Sequence, residues 1–274
     1  MTLPSPGKRP TTPAFRNGGL CWSMDIRGRL DRWLGEFVSS PSRIAAFIAA
    51  DPVQFPLRYA KQGGGRKADT EIAAFLAAAI AWGRRDLIIR SCLRMFSLME
   101  PGPQEFVMQG NYSGLKDKCV HRTFFEKDLK YFCRGFRHCY TKYGSLEKLF
   151  AQAQDVWQGM GLFREEMAAA NRGLYTKHIA NPDANSACKR INLALRWLVR
   201  GGPVDTGLWK SVGPASLYIP LDVHVARTAR ALGLLKRASN DRKAVTELTG
   251  KLKGFCPEDP VKYDFALFGM RQPV

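Results

Sequence analysis

Two residues in this chain have the types and settings to do chemistry together, Asp222 and Lys189. Asp222 stands in Pro220-Leu221-Asp222-Val223-His224-Val225, where a proline stops the preceding segment and the aspartate opens a helix that carries His224 and Arg227 and closes near Gly233. A carboxylate fixed at a helix start and backed by basic groups suits cationic or sugar chemistry, although capping alone is an adequate reason for it. Lys189 lies in the run Asn185 to Arg200, where Ser186 is placed to cap a helix whose apolar face is Ile191, Ala194, Leu195 and Leu198. That cap puts Lys189 in the first turn. The helix dipole disfavours a cation there, and Arg190 beside it pushes the same way, so both favour a neutral, nucleophilic amine. A solvated lysine near a cap is the alternative reading.

The elements that must position these residues read as helix after helix. Thr70 can cap a segment bearing Ile72, Phe75, Leu76, Ala79 and Ile80 on one face, ended by Gly83. Asp86 caps the next, with Ile88, Cys92, Met95 and Met99 as its stripe, and Pro101 and Pro103 break the chain. Further helices are expected near 124–142, 145–159 (opened by Gly144-Ser145), 161–173, 188–199, 222–234 and 241–253, and Tyr263-Asp264-Phe265 reads as a docking helix on which Asp264 could approach a pocket. Strand-like alternation is scarce, so the expected fold is all-α. Residues 1–23, rich in Pro, Gly, Thr and Arg, are expected to be disordered, with Met24 a candidate true start. Gly63-Gly64-Gly65 reads as a flexible turn, since it lacks the phosphate-loop spacing.

Composition narrows the function classes. The 274 residues carry 42 Lys and Arg against 24 Asp and Glu, a net charge of +18, and the excess is spread along the whole chain rather than held in one tail. The folded body is therefore expected to present a positive surface, for which nucleic acid is the leading partner and a merely basic protein the alternative. Seven scattered cysteines form no CxxC pair, which argues against a zinc site, an iron–sulfur cluster and a disulfide framework. No metal and no cofactor are expected. The apolar run Ile72–Trp82 is too short to cross a membrane, and the first residues lack the apolar core of a secretory signal. A cytoplasmic protein is expected, without a membrane partner.

Taken together, Cys188-Lys189-Arg190-Ile191-Asn192-Leu193 and the later Leu221-Asp222-Val223-His224-Val225, Arg227 and Leu232-Gly233-Leu234 resemble the helix-hairpin-helix DNA glycosylase superfamily. The resemblance covers residues 175–235 best. The chain is also similar to an uncharacterised bacterial family in or near that superfamily from about residue 45 onward, and closest in style to the archaeal 8-oxoguanine glycosylase branch. The resemblance implies a two-lobed helical fold over 24–274, with one lobe from about 24–60 plus 222–274, the other from about 61–221, and a divergent helix-hairpin-helix motif near 175–200. By position, Lys189 matches the lysine that attacks the deoxyribose C1′ and forms a Schiff base. Asp222 matches the aspartate that stabilises the sugar's positive charge and helps deprotonate the nucleophile.

The chain also departs from the pattern. The usual hairpin glycines are absent from Asn181-Pro182-Asp183-Ala184-Asn185-Ser186-Ala187, although Asn185 tolerates left-handed geometry and Ser186 can donate to a phosphate. Lys189 and Asp222 are thirty-three positions apart, and the spacer 201–211 carries Trp209, which either stacks on a flipped base or packs beneath its loop. Trp197 reads as core and His224 as a core or supporting residue rather than an acid–base catalyst, and the candidate DNA contacts are Asn185, Ser186, Arg190, Trp209, His224 and Arg227. The expected function is a DNA glycosylase with AP-lyase capability, removing an oxidised base such as 8-oxoguanine from damaged duplex as a nucleoid-associated monomer. The alternatives are a non-catalytic nucleic-acid-binding protein on the same fold, or an enzyme acting on RNA or a modified nucleoside.

Overall fold

The computed structural model describes residues 19–61 and 66–270, with side chains from residue 26 onward. Residues 1–18 and the Gly63–Gly65 turn lie outside the described residues. The chain is already helical at Gly19, so the first helix begins ahead of Met24 and takes in the end of the segment expected to be disordered.

Thirteen α-helices run through the described residues: α1 (Gly19–Val38), α2 (Pro41–Ala49), α3 (Gln54–Ala60), α4 (Lys67–Ala79), α5 (Arg85–Ser97), α6 (Pro103–Gln109), α7 (Glu126–Tyr143), α8 (Leu146–Phe150), α9 (Val156–Ala169), α10 (Lys189–Val199), α11 (Val223–Ala231), α12 (Arg242–Phe255) and α13 (Tyr263–Gly269). The chain is predominantly helical, consistent with the all-α expectation. One feature was not foreseen: a two-stranded antiparallel hairpin, β1 (Cys119–His121) with β2 (Phe124–Phe125). Strands of three and two residues are too short to carry a readable alternation.

Caps explain where the helix boundaries differ from expectation. The segment expected over 145–159 is two helices, because Asp155 takes an extended conformation and accepts a hydrogen bond from Gln158 N at 2.8 Å, restarting the helix as α9. Ser145 does cap α8, accepting from Lys148 N at 3.1 Å. Thr70 is not a cap. It sits inside α4, with its hydroxyl donating back to the Arg66 carbonyl at 3.0 Å, and the helix begins at Lys67. Asp86 lies in the first turn of α5, where its charge suits the helix dipole, and the cap position is Arg84.

α4 is the axis of the molecule. Residues 68–79 are all buried, as expected of a helix rich in Ala, Ile, Phe and Leu around its whole circumference. α3, α10 and α6 pack on it, α7 packs with α8 and α9, and α1, α2, α11 and α13 form a connected second group. A boundary near residue 60 would cut between α3 and α4, which pack against each other extensively, and one continuous core runs through both groups. Among the described residues no helix is long and apolar enough to cross a membrane.

One buried carboxylate ties the α4 end of this core together. Glu71, fully buried, accepts from Tyr140 Oη at 2.6 Å, Trp209 Nε1 at 2.7 Å, Glu147 N at 3.1 Å and Leu146 N at 3.2 Å. It thereby joins α4, α7, the start of α8 and the 201–211 loop. Burial raises its pKa against the lowering effect of these donors. Glu71→Ala would leave three buried donors, Trp209 Nε1 and the Leu146 and Glu147 amides, without an acceptor, Tyr140 Oη keeping the Ala68 carbonyl at 3.2 Å, and is expected to cost at least about 3 kcal/mol, read as a lowered urea midpoint. Glu71→Gln keeps one acceptor oxygen and should fall between the two.

Candidate active site

The C-terminal end of α4 leaves carbonyls that no helical amide can reach, and donors from distant segments fill them. Arg190 Nη1 donates to Ala79 O at 2.9 Å, Lys189 Nζ to Ala81 O at 3.2 Å, and His121 Nε2 to Trp82 O at 2.9 Å. Cations at a helix C-terminus are also favoured by its dipole. Since a carbonyl only accepts, His121 carries its proton on Nε2, and Nδ1 accepts from the Ser91 hydroxyl at 3.0 Å. The first residues of α10 are therefore held by the last residues of α4.

From that anchor Lys189 faces the head of α11. Its Nζ lies 3.8 Å from Asp222 Oδ2. The other oxygen, Oδ1, caps α11 by accepting from His224 N and Val225 N, both at 2.8 Å. One carboxylate is thus divided between structure and site: one oxygen is spent on two amides, and the other faces the amine. Gly233 takes the left-handed conformation just past the helix, at φ 70°, as the sequence pattern requires.

Lys189 and Asp222 line a cavity of about 980 Å³, together with Trp82, His178, Phe268 and Asp264. Trp82 stacks on His178 with ring centroids 5.9 Å apart and planes at 24°, and the Arg190 guanidinium lies 5.2 Å from the Trp82 ring. Burial lowers the His178 pKa against the opposing effect of Asp128, whose Oδ2 lies 3.6 Å from Nε2. Arg85 reaches Asp51 at 3.4 Å and lies over the Phe268 ring at 4.5 Å on the same wall. Asp264 is held by the Arg196 guanidinium, and burial lifts its carboxyl to about 6, with the nearby Asp222 charge adding to the rise and Arg196 opposing it. Trp82, His178, Arg85 and Asp51 carry no local sequence signal for this role, because three separate segments supply them.

The remaining candidates divide. His224 lines the cavity, half-buried, in edge contact with Phe268 at 6.3 Å, whereas Arg227 is exposed and does not line it. Arg190 lines it, but its guanidinium is committed to the Ala79 and Lys177 carbonyls, and burial lowers its pKa. Trp209, a candidate DNA contact, instead packs beneath its loop. It is 1% exposed and packs against Phe150 and Phe75 with its indole N–H on Glu71, so it is unavailable for stacking on a base.

The hairpin segment also differs from expectation. No helix precedes the turn within 175–188; residues 170–188 connect α9 to α10 by turns. Ser186 does not cap α10. Cys188 holds the cap position in a left-handed conformation at φ 45°, and Ser186 Oγ accepts from its amide at 3.2 Å. Asn185 is left-handed as expected, at φ 55°. Its side chain donates to Asp241 Oδ2 at 3.1 Å and its carbonyl accepts from Arg242 N at 3.1 Å, so this loop is fastened to the start of α12.

Among the described residues there is no group of three or more His, Cys, Asp or Glu side chains able to hold a metal ion. Four of the cysteines, Cys92, Cys133, Cys139 and Cys188, are buried free thiols, and burial raises the pKa of each. The divided role of Asp222 predicts a split between its variants. Asp222→Ala should lose about 1 kcal/mol of stability with the cap, whereas Asp222→Asn retains an acceptor and should lose only a few tenths, both read by denaturant titration.

No curated protein and no solved structure matches the chain. A family described as protein of unknown function (DUF2400) matches residues 51–272, most of the sequence, and the chain belongs to that family.

Proposed function

We propose that the protein is a DNA base-excision glycosylase with AP-lyase capability, acting on an oxidised base such as 8-oxoguanine in damaged duplex. The observation that carries this reading is the approach of Lys189 Nζ to Asp222 Oδ2, at 3.8 Å on the wall of a cavity of about 980 Å³, roomy enough for a nucleotide, by two residues from separate helices. The resemblance of Cys188–Leu193 and of Leu221–Leu234 to the helix-hairpin-helix glycosylases supports it. So does the +18 charge, which favours a polyanion.

In this reading the Lys189 amine attacks C1′ of a nucleotide flipped into the cavity, and the C1′–N bond breaks with its electron pair leaving on the base. Asp222 Oδ2 takes the proton lost by the amine and stabilises the positive charge that develops on the sugar. The resulting imine is either hydrolysed or undergoes β-elimination, which nicks the strand. The protein would work as a monomer at the nucleoid, with no metal or organic cofactor.

One observation favours a second reading. Lys189 Nζ donates to the Ala81 carbonyl, so closing the end of α4 is by itself a reason for a lysine here, and a non-catalytic nucleic-acid-binding protein would keep it. Borohydride trapping separates the two. Duplex DNA with an abasic site should yield a covalent adduct with the wild-type protein, and Lys189→Gln should abolish it. Asp222→Asn, which keeps the cap, should slow adduct formation by at least about tenfold. Binding without any adduct would sink the enzymatic reading, and an adduct or released base only with RNA would redirect it to an RNA or modified-nucleoside substrate.

A further inference from the structure

Not every cation at the cavity is paired. Arg196 and Arg200 are held by Asp264, Asp205 and Asp259, Arg85 by Asp51, Arg84 by Asp86 and Lys189 by Asp222, while Arg190 donates to two carbonyls. Among the described residues two cations have no carboxylate partner, and both are exposed. One is Lys177, which lines the cavity. The other is Arg122, whose guanidinium covers the lining residue Gly83 so closely that a Cβ there would stand 2.5 Å from Nη1.

Arg122 occupies an unfavourable place for an arginine. It is the first of the two turn residues, Arg122-Thr123, that join β1 to β2, and its φ is 51°. Glycine or asparagine is the least strained choice for a left-handed hairpin turn. Charge adds to the cost, since Arg94 on α5 donates to the Val120 carbonyl of the same hairpin and Arg84 follows Gly83 in the chain.

Rings beneath the turn hold the two unpaired cations in place. His121 meets Trp82 edge-on with centroids 4.9 Å apart, Trp82 stacks on His178, and His178 meets Phe124 at 4.9 Å. His121 and Phe124 bracket the Arg122-Thr123 turn, and His178 follows Lys177, whose carbonyl accepts from Arg190 Nη2 at 3.2 Å. The backbones that carry both cations are therefore fixed to one aromatic wall, and little ordering is left to be done when an anion binds. The side chain of left-handed Asn185, by contrast, is already committed to Asp241.

We propose that Arg122, at the tip of the β1–β2 hairpin, and Lys177 form a phosphate clamp, each taking one backbone phosphate of a DNA duplex beside the nucleotide that enters the cavity. The inference rests on the nucleic-acid part of the reading above and is independent of the chemistry of Lys189. A flipped nucleotide leaves its flanking phosphates outside the cavity, at the mouth where these cations stand. Contacts of this kind fix the position of the duplex and carry no sequence information. A bound phosphate also offsets the repulsion among the cations around the hairpin. That gain accounts for a charged residue in a turn that asparagine would suit better.

The test is binding to a duplex carrying a tetrahydrofuran abasic analogue, followed by fluorescence anisotropy over a series of KCl concentrations. The variants are Arg122→Asn, Lys177→Gln and the two combined. The control is Lys148→Gln, an exposed lysine of α8, whose start packs on Glu71 at the other end of α4. Each mouth variant should lower the slope of log affinity against log salt by about 0.9, and the double variant by about 1.8, whatever the sequence around the analogue. The control should keep the wild-type slope. Asparagine suits the left-handed turn, so Arg122→Asn should keep or raise the urea midpoint, which separates lost binding from lost folding. An unchanged slope in either mouth variant, or an equal loss in Lys148→Gln, would overturn the clamp and leave the glycosylase reading standing. Loss of slope in the mouth variants of a protein that traps no abasic DNA would support the clamp and sink the glycosylase reading. A wild-type protein that binds no duplex DNA would overturn both.

Discussion

The end of α4 sets the conditions for everything around the cavity. A helix buried over residues 68–79 is shielded from the water that would satisfy its last carbonyls, and those of Ala79, Ala81 and Trp82 find donors elsewhere in the fold. Arg190, Lys189 and His121 supply them from two distant segments. That requirement explains why α10 begins where it does, even though its cap residue, Cys188, sits in left-handed geometry and makes no side-chain capping bond. The contacts that close α4 are also the contacts that bring the Lys189 amine to the cavity wall.

At its other end α4 is held just as firmly. Glu71 gathers four donors, and Glu147 accepts from Lys67 and from the amides of Lys210 and Ser211. These two carboxylates bind the 201–211 loop to the core and fold Trp209 inward. The loop that separates α10 from α11 in sequence is therefore a fixed strut. Its shape allows Lys189 and Asp222, thirty-three positions apart, to meet across 3.8 Å.

The charges divide by environment. The buried Arg and Asp groups behind the cavity compensate one another with one carboxylate to spare, so they contribute almost nothing to the net +18. The excess of basic residues instead decorates the outside, where it can act on a polyanion over a Debye length. The cavity is net basic as well: six Lys and Arg side chains line it against three Asp, beside an aromatic and imidazole wall in which Trp82 stacks on His178.

Features that depend on near neighbours in the chain are written in its local residue order. Asp222 as a cap, Gly233 in left-handed geometry beyond α11, Ser145 opening α8, left-handed Asn185 and the helical class all follow from local backbone and capping preferences. The pairing of Lys189 with Asp222 was legible only because a resemblance linked two patterns; no periodicity connects them. What the tertiary structure alone decided is which polar groups bury together. Trp209 turns inward because Glu71 needs a donor, Asn185 fastens its loop to the start of α12, and Asp264 joins the cavity through Arg196. Each of these outcomes comes from satisfying a buried donor, acceptor or charge with a partner far away in the chain, and no local pattern records that choice.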